Sequence, residues 1–150
     1  MIKILVINGP NLNMLGIREP QLYGTTTFAD LESFIRKSAE ELRIEVQLLQ
    51  SNHEGVLIDA VQSAYQKADG ILINPGGLTT TSVALLDALK SVGIPAVEVH
   101  LTDIRKREAF RQNSLIGLAC FASVIGEGIS GYAHGLQLLH DKLSSGTAAE

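Results

Sequence analysis

IKILVIN at residues 2–8 is unbroken in its apolar character from Ile4 to Ile7, and GILIN at residues 70–74 repeats the pattern. A half-buried strand alternates apolar and polar positions, whereas a strand covered on both faces does not. Three further short runs rich in apolar residues are read as strands of the same sheet: EVQLLQ (45–50), PAVEVHL (95–101) and CFASVIG (120–126). Between them lie segments of helical period at about 27–43, 55–68, 79–92 and 103–112, and the last spans about 129–143. Five apolar strands, each followed by a helix, predict an α/β domain with a doubly wound parallel sheet. The commonest order for five such strands is the flavodoxin-like 2-1-3-4-5, with ligands bound beyond the carboxyl ends of the strands.

The bulk properties agree with one domain over residues 1–143, followed by a tail, SSGTAAE at 144–150, with the composition of a disordered segment. A net charge of -4 carries no footprint for nucleic acid, and no apolar run is long enough to suggest a membrane span. Met1 leads straight into the first strand without the flanks of a signal peptide, so a cytoplasmic protein is expected. The single cysteine, Cys120, lies in an apolar run and reads as a small core side chain rather than a nucleophile. No Walker motif follows a strand and no G-x-G-x-x-G follows the first one, which argues against a nucleotide.

The strand-end rule selects three loops that should meet at one cleft. The first, GPNLNMLGIREPQLYG at 9–24, is longer than most connections in a compact domain. It holds Arg18 and Tyr23 between Gly16 and Gly24, and a cation beside a phenol favours the phenolate. Tyr23 is therefore a candidate base on a closing lid. The second loop, NPGGLTTTS at 74–82, places glycines before hydroxyls that can cap a helix. The third is the end of strand 4, where Glu98 and His100 are two apart and leave the same face. A carboxylate beside an imidazole fixes its tautomer, and His100 becomes a candidate general acid or base. Arg107 and Arg111, four apart on the expected helix, would share one side and reach an anionic ligand. Asn8, Asn11, Asn13 and Asn74 are candidate donors to a developing oxyanion, although asparagine is also ordinary turn chemistry. His53 reads as a helix cap, Tyr65 and Tyr132 as packing or interface residues, and His134 and His140 lack metal-ligand spacing.

Taken together, GPNLNMLGIREPQLYG, QSNHEG, NPGGLTTTSVALLDAL, EVHLTDIRKREAFR and GEGISGY resemble the type II 3-dehydroquinate dehydratases, in the same order from about residue 4 to 140. The resemblance implies a flavodoxin-like fold, no metal or organic cofactor, and conversion of 3-dehydroquinate to 3-dehydroshikimate in the shikimate pathway or in quinate breakdown. It also implies a homo-oligomer, a dodecamer of four trimers. By position, it makes Tyr23 the base, with Arg18 lowering its pKa, and Asn11 the holder of a water that stabilises the enolate. His100, oriented by Glu98, would protonate the departing hydroxyl. Asn74, Arg111 and the backbone at Leu101 and Thr102 would grip the ring hydroxyls and carboxylate, while Arg107 would belong to the lid.

Four positions depart from that family's usual pattern. Thr80 stands where a histidine helps bind a ring hydroxyl, which bears on affinity and substrate identity. Leu86 replaces an arginine beside Asp87, and the latter in the family reaches toward a neighbouring subunit's site. Asp103 replaces an asparagine and adds a negative charge near the expected carboxylate site unless Arg105 or Lys106 compensates. Ala60 stands in place of a frequent bulky aromatic. The alternatives are an enzyme for another cyclic polyhydroxy carboxylate, or a binding member without catalysis; the joint presence of Arg18, Tyr23, Glu98 and His100 favours an enzyme of this family.

Overall fold

The computed structural model describes residues 1–17 and 19–148, with backbone only for Leu22, Tyr23 and residues 146–148. Its centre is a five-stranded parallel sheet of β1 (Ile2–Asn8), β2 (Ile44–Gln50), β3 (Gly70–Asn74), β4 (Ala96–His100) and β5 (Ala122–Ile125), in the order β2-β1-β3-β4-β5. All five residues of β3 and all five of β4 are buried, as unalternating strands inside a doubly wound sheet require. The helices are α1 (Pro20–Tyr23), α2 (Phe28–Glu41), α3 (Glu54–Ser63), α4 (Val83–Val92) and α5 (Ser130–Ala148).

Period two along the strands divides the core into two layers. Ile4 and Val6 of β1, Leu72 of β3 and Val97 and Val99 of β4 pack with Leu31 and Ile35 of α2 and with Tyr132, Leu136 and Leu139 of α5. On the opposite face, Leu5, Ile7, Ile71, Ile73 and Ala96 pack with Leu57 and Val61 of α3 and Leu85 and Leu89 of α4. Glu98 and His100 share the parity of Ala96, so the alternation that builds the core also sends both side chains to the α4 side.

The helix ends follow their capping chemistry. Thr27 and Asp30 form a reciprocal capping box at the start of α2, with Asp30 N donating to Thr27 Oγ1 at 3.1 Å and Thr27 N to Asp30 Oδ2 at 3.0 Å. The helix expected from about 79 starts at Val83: Gly76–Thr80 form a 3-10 turn, and Ser82 caps α4 by accepting from Leu85 N at 2.9 Å. Left-handed Gln66, at φ 61, lies where the expected helix of 55–68 would continue, and α3 ends at Ser63. The helix expected at 103–112 is instead two 3-10 turns, Ile104–Lys106 and Ala109–Arg111, separated by Arg107 with extended backbone. Asp103 caps the first of these turns by accepting from Arg105 N. The final helix does not stop at 143: α5 continues to Ala148, through much of the segment expected as a disordered tail, with Ser145 Oγ donating to the carbonyl of Lys142. Leu143 lies close beside Gly70 of the sheet, a packing contact that the composition of the tail does not reveal.

The loops after β1 and β3 touch backbone to backbone. Gly9 N donates to Asn74 O at 2.8 Å, and a Cβ at Gly9 would lie 2.5 Å from the carbonyl oxygen of Pro75. Gly76, at φ +59, faces the reciprocal constraint, because a Cβ there would lie 2.7 Å from Pro10 O. No side chain can fit at this junction, and it holds the two loops in one register. Gly9→Ala is expected to cost about 1–3 kcal/mol through forced backbone movement, read as a lower urea midpoint. Gly77→Ala, whose Cβ would meet nothing within 4 Å, serves as the control and is expected to leave the midpoint unchanged.

Candidate active site

Beyond the carboxyl ends of β1, β3 and β4 the three loops enclose a pocket lined by Asn11, Asn74, Thr80, His100, Leu101, Thr102, Arg107 and Arg111, with Leu12, Leu15, Gly76, Gly77, Thr79 and Ile104 completing the wall. Eight of the residues singled out by sequence thus line a single concavity. Glu98 sits behind His100 and does not line it. Asp87 is exposed on α4 and lies outside the pocket. Arg18 lies outside the described residues, and Tyr23 is described only as the backbone end of α1. Pro20 at the first helical position starts that helix, and Gly24, at φ 73, ends it.

The pair on β4 is the electrostatic centre. His100 Nε2 lies 3.0 Å from Glu98 Oε2, and both side chains are buried. Glu98 also accepts from Ser114 Oγ at 2.7 Å and from Ser123 Oγ at 2.6 Å. Burial pushes its carboxyl pKa upward, but the donors from His100, Ser123 and Ser114 outweigh that, and the net displacement is below the ordinary carboxylate range. An ionised carboxylate only accepts, so the imidazole nitrogen facing it carries a proton. Nδ1 is then the ring nitrogen left for chemistry in the pocket.

A second buried network joins the sheet to α5. Asn8 and Asn74 are register partners on β1 and β3. The fully buried Tyr132 donates from its hydroxyl to Asn8 Oδ1 at 2.6 Å and accepts from Asn74 Nδ2 at 2.9 Å, while Asn74 Oδ1 accepts from Gly76 N at 3.2 Å. Asn8, read from sequence as a possible oxyanion donor, is therefore buried framework; its side-chain oxygen is taken by Tyr132. Tyr132 is more than packing, because it sets which end of the Asn74 amide is held. Burial raises the Tyr132 phenol well above its ordinary value, so this tyrosine stays protonated.

The basic side of the pocket is held by Glu108. Arg111 Nε donates to Glu108 Oε2 at 2.7 Å, and Arg107 Nε lies 4.0 Å from the same oxygen. The expectation that the two arginines share a helix face fails with the helix itself, yet the broken chain brings both to the pocket wall. Asp103 is neutralised locally: Arg105 Nε and Nη2 fork onto its two oxygens at 2.8 and 3.0 Å, and this bonding holds its carboxyl below the usual range. Asn11 stands at the rim in the left-handed region, at φ 71, with its backbone N–H donating to Asn52 Oδ1. Asn13 is exposed and accepts from Gln50 Nε2. His53 occupies the cap position of α3 without a side-chain capping bond, and Cys120 is half-buried with its thiol pushed up to about 12 by burial and the nearby Glu98. Among the described residues no group of three or more His, Cys, Asp and Glu side chains converges as a metal site.

The sequence profile of the family described as dehydroquinase class II matches residues 2–140. The chain belongs to the class II dehydroquinase family. A 3-dehydroquinate dehydratase of Clostridium acetobutylicum is 49% identical over 142 residues, covering 95% of this chain and 99% of that one. The catabolic 3-dehydroquinase 2 of Aspergillus flavus is 52% identical over 132 residues, covering 88% of each. The crystal structure of the type II dehydroquinase of Butyrivibrio crossotus superposes with a TM-score of 0.90 at 46% identity, covering 92% of this chain and 97% of that one. The flavodoxin-like strand order is therefore that of a class II dehydroquinase.

Ser114 and Ser123 are the polar partners that the sequence conceals, since they reach Glu98 from 16 and 25 residues away. In Tyr132→Phe the ring is kept and one hydroxyl is lost, leaving two buried asparagines each short of a partner. The expected cost is about 1–3 kcal/mol, measured by urea unfolding, with a retained far-UV spectrum.

Proposed function

We propose that this class II dehydroquinase converts 3-dehydroquinate to 3-dehydroshikimate and water, as a step of the shikimate pathway or of quinate breakdown. The observation that carries the reading is a buried Glu98 carboxylate backing His100, which lines a pocket that also presents Asn74, Thr80 and Arg111. Breaking a C–H bond beside a ketone requires a base and a place for the negative charge, and hydroxide leaves well only when protonated as it departs. The chain holds candidates for each task.

In the proposed cycle the Tyr23 phenolate, favoured by Arg18, removes the proton alpha to the ketone, and Asn11 holds the water that hydrogen-bonds the enolate oxygen. The enolate then re-forms its carbonyl and expels the hydroxyl, which takes a proton from Nδ1 of the His100 imidazolium. One proton and one hydroxide leave the substrate, so the organic product differs from it by one water; Tyr23 has gained a proton and His100 has lost one, and loss of the first to solvent with uptake of one by His100 resets the pair. Glu98 keeps the opposite nitrogen of His100 protonated throughout. Asn74, Arg111 and the Leu101 and Thr102 backbone grip the ring hydroxyls and the carboxylate, with Thr80 contributing a hydroxyl on the same wall. Arg107 closes with the lid that carries Arg18 and Tyr23, excluding water from the enolate. No metal or organic cofactor is needed for any of these steps.

The proposed setting is a cytoplasmic homo-oligomer, a dodecamer of four trimers in which Asp87 reaches toward a neighbour's site. Among the described residues no helix is long and apolar enough to cross a membrane. Tyr23→Phe is expected to lower kcat by about 10²–10⁴-fold while substrate still binds, as measured by calorimetry. His100→Ala is expected to cripple turnover in the same assay. Near-normal kcat in either folded variant would remove that residue from the role given to it.

A further inference from the structure

The Glu98 carboxylate is enclosed on both oxygens by groups outside the pocket wall. Oε2 accepts from Ser114 Oγ at 2.7 Å as well as from His100 Nε2 at 3.0 Å, and Oε1 accepts from Ser123 Oγ at 2.6 Å. Ser114 is itself oriented: its Oγ accepts from Gly117 N at 2.9 Å, which leaves its single hydroxyl proton to be given to Glu98. Gly117 is shaped by the same carboxylate, since a Cβ there would lie 2.7 Å from Glu98 Oε1 and 3.2 Å from Ser114 Oγ. The three come from two separate places, Ser114 and Gly117 from the connection after β4 and Ser123 from the edge strand β5.

We infer that Ser114 and Ser123 are positioning residues for the reaction proposed above, holding the Glu98 carboxylate against His100 Nε2 so that the ring presents Nδ1 to the ligand. The inference rests on that reading of His100 as the acid. A buried carboxylate with a single imidazole partner would have one oxygen unsatisfied, and would be free to rotate about its terminal bond or to take up a proton. Two serine hydroxyls remove both options. They also help to hold the Glu98 carboxyl below its ordinary value, so the carboxylate stays ionised and oriented as the pH falls. The titratable groups placed against Glu98 are His100 and Cys120, and the Cys120 thiol stays protonated across the working range.

The test compares wild type with Ser114→Ala, Ser123→Ala and the double variant in steady-state turnover of 3-dehydroquinate across pH, with far-UV circular dichroism to confirm folding. Each alanine is expected to lower kcat about tenfold or more while leaving KM within about twofold. Removing the donors raises the Glu98 pKa, so the limb of the profile lost on acidification is expected to move to higher pH. Ser123→Thr, which keeps the hydroxyl, is expected to restore both readouts. Ser123 lies on an exposed edge, so Ser123→Ala alone carries the test if the double variant does not fold. Folded serine variants with wild-type kcat and an unmoved acid limb would overturn the inference. If wild type turns nothing over, the reading of the reaction falls instead. A crystal structure of Ser123→Ala then decides the positioning role: a Glu98–His100 contact kept at wild-type distance refutes it, and a displaced carboxylate supports it.

Discussion

A carboxylate that is only 2% exposed needs a donor for each oxygen, and meeting that need for Glu98 organises one end of this sheet. The strand places Glu98 two residues before His100, the edge strand supplies Ser123, and the connection between β4 and β5 returns to supply Ser114. An uncompensated charge at this depth would neutralise by taking a proton, and the imidazole would then lose the partner that fixes its tautomer. The hydrogen bonds around Glu98 thus link packing to chemistry. The same connection brings Ile116 into the core beneath α4 and carries Arg107 and Arg111 to the rim, so one segment serves the core, the carboxylate and the ligand wall.

The opposite side of the pocket is set by backbone contact rather than by charge. Gly9 and Gly76 allow the β1 and β3 loops to meet without side chains between them, and the Asn8–Tyr132–Asn74 chain ties that junction to α5. Asn74 is thereby held from both the β1 and the α5 side. The segment that carries Tyr23 begins beyond it, with the short α1 launched by Pro20. The proposed acid on the strand end and the proposed base on a separate loop would suit an elimination whose two proton transfers occur on different atoms of one ring.

Much of this was legible in the sequence because it depends on short periods. Apolar strands without alternation specified the parallel sheet, and spacing of two put Glu98 and His100 on one face. The parts that escaped depend on distant contacts. Nothing within 103–112 shows that Arg107 turns extended between two 3-10 turns, because the segment has helical composition. Ser114 and Ser123 are ordinary serines until the fold brings them to a buried carboxylate. Tyr132 reads as packing until its hydroxyl is seen between two asparagines. Asp103, which looked like an added charge near an anion site, is held in a fork by Arg105 two residues away. Thr80, singled out from the sequence, does line the pocket.

The central claim is that this pocket dehydrates 3-dehydroquinate without a metal, despite Thr80. The most direct measurement is a steady-state assay of the purified, chelator-treated protein with 3-dehydroquinate, following the ultraviolet absorbance of the conjugated product. Saturable turnover that is unchanged by the chelator is the expected result. A folded protein that binds 3-dehydroquinate and forms no product would contradict the account, and would shift attention to another cyclic polyhydroxy carboxylate as the ligand that Thr80 accepts.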